Sequence, residues 1–218
     1  MFYCRGFLRA ALALLGFVLA CMGVRAAQAD GEVCFATPND GALVYSSTTA
    51  SAVRDAVASA GSGGTVKIAG NCAGVVNQLG TNQVAVITQT LTLAGGYTVT
   101  NWTAAYPITQ PTTLDAISGG RVLVVNGAEA IIASLTIQNG STNGDGAGIL
   151  ATDALTLTSV QILSNTATGN GGGVYLAGGA LFITGTTFAN NTGTTGGGAV
   201  WQNANNAVVI NARFERGI

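Results

Sequence analysis

Charged side chains are the scarcest feature of this sequence: only 8% of its 218 residues are charged, and histidine is absent. About a quarter of the residues are charged in an average soluble protein. Because soluble helices cover their solvent-facing sides with charged residues, a chain with so few is not expected to be mainly helical. Its 32 glycines, together with many threonines and asparagines, are typical of short strands joined by tight turns. The composition therefore favours an all-β protein.

Basic residues are especially rare after position 29. The formal net charge is −1, but three of the eight basic residues are Arg5, Arg9 and Arg25. From residue 30 onward, five basic residues face nine acids, so the charge is near −4. A chain of this charge has no basic stripe with which to hold a nucleic-acid backbone. We therefore predict no nucleic-acid partner.

Residues 1–29 have the pattern of an export signal peptide. Two arginines precede an uncharged apolar stretch at residues 10–24. Residues 27–29, Ala-Gln-Ala, then offer the small side chains that a signal peptidase requires, which places cleavage between Ala29 and Asp30. The alternative is an uncleaved membrane anchor, although the apolar stretch is short for a membrane span.

A second processing route competes with this cleavage. Residues 18–21, Val-Leu-Ala-Cys, resemble the lipobox of bacterial lipoproteins, in which the cysteine, here Cys21, becomes lipidated. Both routes predict an exported protein, either secreted or at the cell surface. Association with a membrane is then expected only through lipid at Cys21 or through an anchor that this sequence does not contain.

Cleavage after Ala29 would leave two of the four cysteines, Cys34 and Cys72. In an oxidising compartment, two cysteines are expected to form one disulfide, and a pair of buried free thiols is the alternative. Two cysteines without any histidine are too few for a structural zinc site. We therefore predict a disulfide and no metal.

Residues 30–64 are predicted to form an N-terminal cap on the domain that follows. The segment 31–37 (GEVCFAT) is a candidate strand and is followed by a Pro-Asn-Asp-Gly turn. In the segment 49–64, apolar residues recur at helical spacing, a Ser/Thr run precedes them to cap the helix, and glycines stop it. We expect this short helix to plug the open end of the β-structure, with an ordinary surface helix as the alternative.

A repeat with a period of about 25 residues fills the second half of the chain. An apolar residue before an asparagine-rich turn recurs with this period at Ile137, Ile162, Phe188 and Phe214. Glycine clusters recur with the same period and begin at Gly146, Gly171 and Gly196. A fixed period of this size indicates a solenoid, and the absence of a helix from each repeat excludes ankyrin, leucine-rich and tetratricopeptide arrays.

These strands fit a parallel β-helix, in which each coil pairs with the previous one at a spacing of about 4.8 Å. Residues 65–218 would make roughly six coils in a rod about 30 Å long. Apolar residues are expected to stack inward and uncharged polar residues outward, because stacked like charges repel. Glycine and asparagine are expected to bend the chain at corners, with Asn165 stacked beneath Asn191 in a hydrogen-bonded ladder.

Two short motifs in these repeats resemble those of polymorphic outer membrane proteins of the chlamydial type. One has the form Gly-Gly-Ala-Ile and is matched by residues 197–200, and more loosely by residues 172–175 and 146–149. The other has the form Phe-x-x-Asn. It is matched by residues 188–191, and more loosely by residues 162–165. The residues that carry the first motif are Gly172, Gly173, Gly197 and Gly198, and those that carry the second are Ile162, Asn165, Phe188 and Asn191.

This resemblance implies a right-handed parallel β-helix with the pectin-lyase-like fold in a secreted or cell-surface protein, with adhesion as its function. Residues 93–125 also look like predicted surface β-helix proteins of gliding bacteria. The family carries a C-terminal membrane barrel that this sequence lacks, and the sequence stops inside a coil after Phe214. We therefore expect a truncated reading frame, or an open end that a partner or a second copy covers. Surface glycans or other cell-surface proteins are the expected partners.

The competing functional hypothesis is a polysaccharide lyase or glycoside hydrolase, because many such enzymes share this fold. Their chemistry needs paired carboxylates, or a calcium site with a basic proton acceptor. Stacking would bring Glu129 and Asp153 close together, either as a weak cation site or as two solvated turn acids. Arg121 and Lys67 are expected to be solvated strand residues rather than catalytic bases. We therefore predict no catalytic residues and no cofactor.

Three other features lack the pattern that a binding site would need. Asp145 lies in a glycine-rich turn, but its spacing fits neither a calcium nonapeptide repeat nor an EF-hand. The glycine triplets are not followed by the Gly-Lys-Ser/Thr of a phosphate-binding loop. Four aromatic residues are expected to pack in corners rather than stack on sugar rings: Trp102, Tyr106, Tyr175 and Trp201.

Overall fold

The computed structural model describes residues 33–203 and 206–215. These residues form one helix and 22 short strands. In chain order they are β1 (Cys34–Thr37), β2 (Tyr45–Ser47), α1 (Ser51–Ser59), β3 (Gly64–Ala73), β4 (Val76–Gln78), β5 (Thr81–Ile87), β6 (Leu91–Ala94), β7 (Thr113–Asp115), β8 (Arg121–Val125), β9 (Ala130–Ala133), β10 (Thr136–Gln138), β11 (Ser141–Thr142), β12 (Ile149–Ala151), β13 (Leu155–Thr158), β14 (Gln161–Leu163), β15 (Thr166–Ala167), β16 (Val174–Leu176), β17 (Ala180–Thr184), β18 (Thr187–Ala189), β19 (Thr192–Gly193), β20 (Val200–Gln202), β21 (Asn206–Ile210) and β22 (Arg213–Glu215).

Three parallel sheets run along the stack of coils. The first contains β3, β6, β9, β13, β17 and β21, and the second contains β3, β7, β10, β14, β18 and β22. The third contains β5, β8, β12, β16 and β20, with β4 added antiparallel to β5. A short fourth sheet of β11, β15 and β19 lies between the second and third in chain order. The predicted fold is confirmed: the chain is a parallel β-solenoid of about six coils.

The repeated apolar residues stack directly on one another in the core. The parallel register of the second sheet pairs Ile137 with Ile162, Ile162 with Phe188, and Phe188 with Phe214. The first three of these side chains are buried, whereas Phe214, on the last described coil, is 55% exposed. Its ring still lies parallel to that of Phe188, with centroids 5.0 Å apart. The period of the sequence repeat is therefore the length of one coil.

The outer faces are less uniformly polar than the sequence predicted. The second sheet carries the expected column of Thr113, Thr136, Gln161 and Thr187. On the first sheet the outward column instead contains three exposed apolar residues, Ile131, Phe182 and Val208. β-Branched and aromatic side chains pack well against their neighbours on a pleated surface, which explains why these positions tolerate them. The prediction of a polar exterior is therefore correct for this column of the second sheet and wrong at these three positions of the first, where Thr92 and Thr156 of the same column are polar.

The first coils depart from the regular period. In the second sheet Cys72 pairs with Leu114, and Leu114 pairs with Ile137, so the first of these coils is much longer than the second. The longer coil includes a loop at residues 95–112 that lies beside the solenoid. Trp102 of this loop packs in a separate small apolar cluster formed with Phe35 and Ala69.

Helix α1 covers the core at its N-terminal end, as predicted. It packs against β1, β2, β3 and β5, and four buried residues of the helix join the solenoid core: Ala52, Val53, Ala56 and Val57. β1 runs antiparallel to β3 and pairs Cys34 with Gly70. The cap therefore shields apolar side chains of the first coil, which would otherwise be exposed.

The predicted Ser/Thr run contributes to the start of this helix only from outside the N-cap position, because Ala50 occupies that position and makes no side-chain capping bond. Ala50 is fully buried, and its N–H donates to the carbonyl oxygen of Ala73 at 2.8 Å. A hydroxyl at this position would be buried among apolar atoms. Thr49 lies one residue earlier, and its Oγ1 accepts a hydrogen bond from the N–H of Ser51.

Candidate functional site

Cys34 of β1 and Cys72 of β3 form a disulfide, which confirms that prediction. Their Cα atoms are 4.7 Å apart, and both residues are fully buried. β1 belongs to the antiparallel cap, whereas β3 is the first strand of the solenoid. The covalent bond therefore fastens the cap to the first coil.

The predicted asparagine ladder is present inside the solenoid. Asn165 donates from Nδ2 to Oδ1 of Asn191 at 3.0 Å, and both residues are buried. Each amide also donates to a backbone carbonyl of an earlier coil: Asn165 to Ile137 at 3.2 Å, and Asn191 to Ile162 at 2.7 Å. The ladder thus bonds each asparagine side chain to the backbone of the preceding coil as well as to its neighbour in the ladder.

The ladder asparagines do not bend the chain themselves, contrary to expectation. The residues immediately before them, Ser164 and Asn190, have φ values of 55° and 55°. This left-handed turn directs the following side chain inward, so the corner and the ladder need two consecutive residues. In the preceding coil Gly140 takes the ladder position, and its N–H donates to Oδ1 of Asn165 at 2.8 Å.

The left-handed glycine corners of the last two clusters do not lie at the residues where both clusters begin. The register that pairs Val174 with Val200 places Gly171 beside Gly197, and Asn170 forms a bridge with Gly196. Gly171 and Gly197 have φ values of 64° and 57°, so they occupy equivalent left-handed corners. The residues at which the two clusters begin, Gly171 and Gly196, are therefore not equivalent positions of their coils.

The same shift applies to the motif that resembles Gly-Gly-Ala-Ile. Residues 172–175 align with residues 198–201, so Gly172 and Gly173 correspond to Gly198 and Ala199. The extra residue of this coil lies in the turn between β16 and β17. Because both coils contain glycine triplets, the spacing of the glycine clusters does not show this one-residue insertion.

Replacing Gly171 with alanine is expected to lower the free energy of unfolding by about 2 kcal/mol or more. The new Cβ would lie 2.2 Å from the carbonyl oxygen of Val174, in addition to the strain of a positive φ. Gly185 is the matched control, since it also has a positive φ but its nearest heavy atom would be 3.5 Å away. Chemical denaturation should therefore show a smaller loss for Gly185→Ala. Equal losses would mean that the contact with Val174 is unimportant.

Lys67 is an anchor for the loop rather than the solvated strand residue that was predicted. Its side chain is only 15% exposed and forms an ion pair with Asp40 at 2.5 Å. Nζ also donates to the carbonyl oxygen of Trp102 at 2.6 Å and lies 5.1 Å from the ring centroid of Tyr97. The lysine thus holds the loop at residues 95–112 against β3.

Replacing Lys67 with methionine is expected to cost about 2 kcal/mol, because a hydrogen bond from a charged donor is lost at a largely buried position. Asp40→Asn should cost less than about 1 kcal/mol, since Asp40 is 73% exposed. In a Trp201→Phe background, Trp102 fluorescence should shift to the red in Lys67→Met. Unchanged fluorescence together with unchanged stability would contradict the anchoring role.

Arg121 begins β8 and is half-buried, so it is not a solvated strand residue either. Its Nε donates to the carbonyl oxygen of Asp145 at 3.0 Å. Burial lowers the pKa of the Arg121 guanidinium, while the nearby charge of Asp145 acts in the opposite direction. The carboxylate of Asp145 accepts a hydrogen bond from the N–H of Asn170 at 2.6 Å. Asp145 therefore connects neighbouring coils.

The acids do not assemble into a metal site within the part of the chain that the structure describes. Glu129 is exposed, and Asp153 bonds through Oδ1 to the N–H of Ala154 at 2.9 Å. Asp115 is a buried acid that sequence reasoning missed. Its carboxylate accepts hydrogen bonds from the side chains of Gln138 and Asn139, which satisfy it as part of the structure.

The four candidate aromatic residues have different environments. Trp102 is buried, as expected of a packing residue, and its ring stacks on Tyr97 with centroids 6.1 Å apart. Tyr106 is exposed on the same loop. Tyr175 pairs in register with Trp201, which is 40% exposed on the outer face of the third sheet. The prediction of packing is confirmed for Trp102 only.

Several predictions concern residues outside the described ranges. The signal peptide, the cleavage position between Ala29 and Asp30, and the alternative lipidation site Cys21 all precede residue 33. In the described ranges, no helix is long and apolar enough to cross a membrane. These predictions of processing and anchoring therefore remain predictions.

The parallel coils, the stacked core and the N-terminal helix define the described domain as a capped parallel β-solenoid. No protein-family model, curated protein or solved structure matches this chain. Its function is therefore inferred from the sequence patterns and from the geometry of the molecule.

Proposed function

We propose that this chain is an exported β-solenoid that acts as an adhesive or structural scaffold, without catalysis, at the cell surface or after secretion. The observation that carries the proposal is the buried disulfide between Cys34 and Cys72 at the start of the solenoid. Structural disulfides form and persist mainly in oxidising compartments outside the cytoplasm. The disulfide thus supports export, in agreement with the signal-like residues 1–29.

The roles of the repeat motifs support the scaffold part of the proposal. Phe188 lies in the core column, Asn191 satisfies the backbone of the preceding coil, and Gly171 turns a corner. The repeated residues therefore build a rigid stack of coils. Solenoids of this kind present extended surfaces along their length. The resemblance of the repeat motifs in this chain to those of polymorphic outer membrane proteins favours adhesion at a cell surface.

Binding experiments on the purified protein test the adhesive part. We expect saturable binding to host or neighbouring cells, or to individual glycans on an array, that disappears after heat unfolding. Fractionation of the producing cells should place the protein in the envelope or the medium. Retention in the cytoplasm would contradict export, and saturable binding to no cell and no glycan would leave only the structural role.

Incubation with acidic and neutral polysaccharides tests the absence of catalysis. We expect neither unsaturated products nor new reducing ends. Turnover that an acid-to-amide substitution abolishes, for example Asp145→Asn, would overturn the non-catalytic proposal in favour of a carbohydrate-active enzyme.

A further inference from the structure

A polar cleft lies beside β8, where three separate segments of the chain meet. It is lined by the β4–β5 hairpin, by the turn before β8 together with Arg121, and by the segment that begins with β11. Its volume is about 360 Å³, within the range of roughly 300–1,000 Å³ that small-ligand sites occupy. Its polar side chains include Asn77, Asn82, Arg121, Ser141, Thr142 and Asn143, which together define the Arg121 cleft.

Arg121 is held in this cleft with its two terminal nitrogens unused. Nε is held by its bond to the carbonyl oxygen of Asp145. Nη2 lies beside Gly144, so that a Cβ added to this glycine would be 3.1 Å from Nη2. Among the described residues, neither Nη atom donates a hydrogen bond, and no carboxylate forms an ion pair with this guanidinium. The side chain is thus oriented by one nitrogen and can donate through the others.

The remaining lining supplies hydrogen-bonding groups rather than apolar contacts. Amide side chains both donate and accept hydrogen bonds, and hydroxyls do the same, so they match the alternating hydroxyls of a sugar. A guanidinium presents parallel N–H groups that fit the two oxygens of a carboxylate. Such charge-assisted hydrogen bonds are stronger than those between the neutral amide or hydroxyl groups and a ligand. An anionic, hydroxyl-rich ligand would satisfy both sets of groups.

We propose that the Arg121 cleft binds a saccharide that carries a carboxylate, as in sialic or uronic acids. Arg121 receives the carboxylate, and Asn77, Asn82 and Asn143 receive hydroxyls of the sugar. The inference rests on the proposed adhesive function and names the ligand class and the site through which the solenoid would hold a surface glycan.

Partial burial makes the cation a better receptor for a carboxylate than an exposed arginine would be. The burial that lowers the pKa of Arg121 also leaves less water around its guanidinium. Less water then competes with a ligand carboxylate for the N–H groups. A carboxylate that enters the cleft offsets this desolvation by direct pairing. Arg213 provides the contrast, because it is exposed and already forms an ion pair with Glu215.

Three ligands that share one lactose core test the proposal on the full chain: sialyllactose, sulfolactose and lactose. Calorimetric titration is expected to detect sialyllactose, and binding should weaken as salt concentration rises. Lactose, which has no charge, should bind at least about tenfold more weakly. Equal affinity for sulfolactose would overturn the carboxylate assignment in favour of a general anion site, and equal affinity for lactose would overturn the role of charge.

Two pairs of variants locate the site. Arg121→Gln is expected to weaken sialyllactose binding about tenfold or more, whereas Arg213→Gln should leave it unchanged. Because Arg121→Gln also loses the bond to Asp145, its thermal stability must be measured. Asn143→Asp avoids this difficulty, since Asn143 is exposed, and a carboxylate added there should repel the ligand and weaken binding about threefold or more. Asn126→Asp, at the far end of β8, is its matched control.

The outcomes separate this inference from the proposed function. If the full chain binds cells or glycans but Arg121→Gln and Asn143→Asp bind as well as the unmodified chain, the cleft assignment is wrong and the adhesive proposal stands. If the chain binds no cell and no glycan on the array, the adhesive proposal fails and the inference fails with it. Weaker binding in Asn143→Asp, but not in Asn126→Asp, supports the cleft as the site.

Discussion

Removing the disulfide with the double substitution Cys34→Ala and Cys72→Ala is expected to lower the free energy of unfolding by about 4 kcal/mol. The bond joins residues 38 apart in sequence, so its loss restores considerable freedom to the unfolded chain. It also releases β1 from the edge of β3. Thermal unfolding followed by circular dichroism should show a clearly lower melting temperature.

Reduction offers an independent check of the same bond. A reducing agent should destabilise the unmodified chain and have little effect on the double variant, in which this disulfide is absent. If reduction leaves the melting temperature of the unmodified chain unchanged, the disulfide contributes nothing measurable. The proposed export would then lose its structural support.

Replacing Asn165 with alanine is expected to lower the free energy of unfolding by about 3 kcal/mol or more. Asn165 is fully buried, and its loss leaves the N–H of Gly140 and the carbonyl oxygen of Ile137 without their side-chain partners. It also removes the side-chain bond to Asn191, although the backbone N–H of residue 165 still donates to Oδ1 of Asn191, and it opens a small cavity. Each buried polar group left without a partner costs about 1–3 kcal/mol.

Guanidinium-induced unfolding, followed by far-ultraviolet circular dichroism, measures this loss. Asn126→Ala is the matched control, because Asn126 is exposed and its removal should change the midpoint very little. If both variants unfold at the same guanidinium concentration, the asparagine ladder does not stabilise the solenoid, and the corner must be held by the backbone alone.

Periodicity made the solenoid predictable from the sequence. The spacing of Ile137, Ile162 and Phe188 reports the length of a coil, because only residues one coil apart stack in a common column. The ladder between Asn165 and Asn191 followed from the same spacing. Where the coil length changes by one residue, at the turn after β16, the repeated glycines give no marker, so their spacing does not show that Gly171 lies beside Gly197 rather than Gly196.

The candidate cleft was not predictable in this way. Asn77 and Asn82 come from an antiparallel hairpin outside the repeat, Arg121 begins a strand of the next coil, and Asn143 belongs to the coil after that. Nothing in their spacing indicates that they face one space. The contact between Lys67 and Trp102 is a similar case, because Trp102 lies in a loop that is inserted into an irregular coil.

The class of fold and the stacked core could therefore be predicted from the sequence, as could the capping helix and the disulfide, each with one alternative left open. These follow from the period of apolar residues and from composition, which act locally or repeat at every coil. The folded structure was needed to show which polar residues share a cleft, which basic residues are held in place, and where the outer faces become apolar. Those features depend on how turns and insertions of unequal length bring distant segments together, and a repeating pattern carries no information about that.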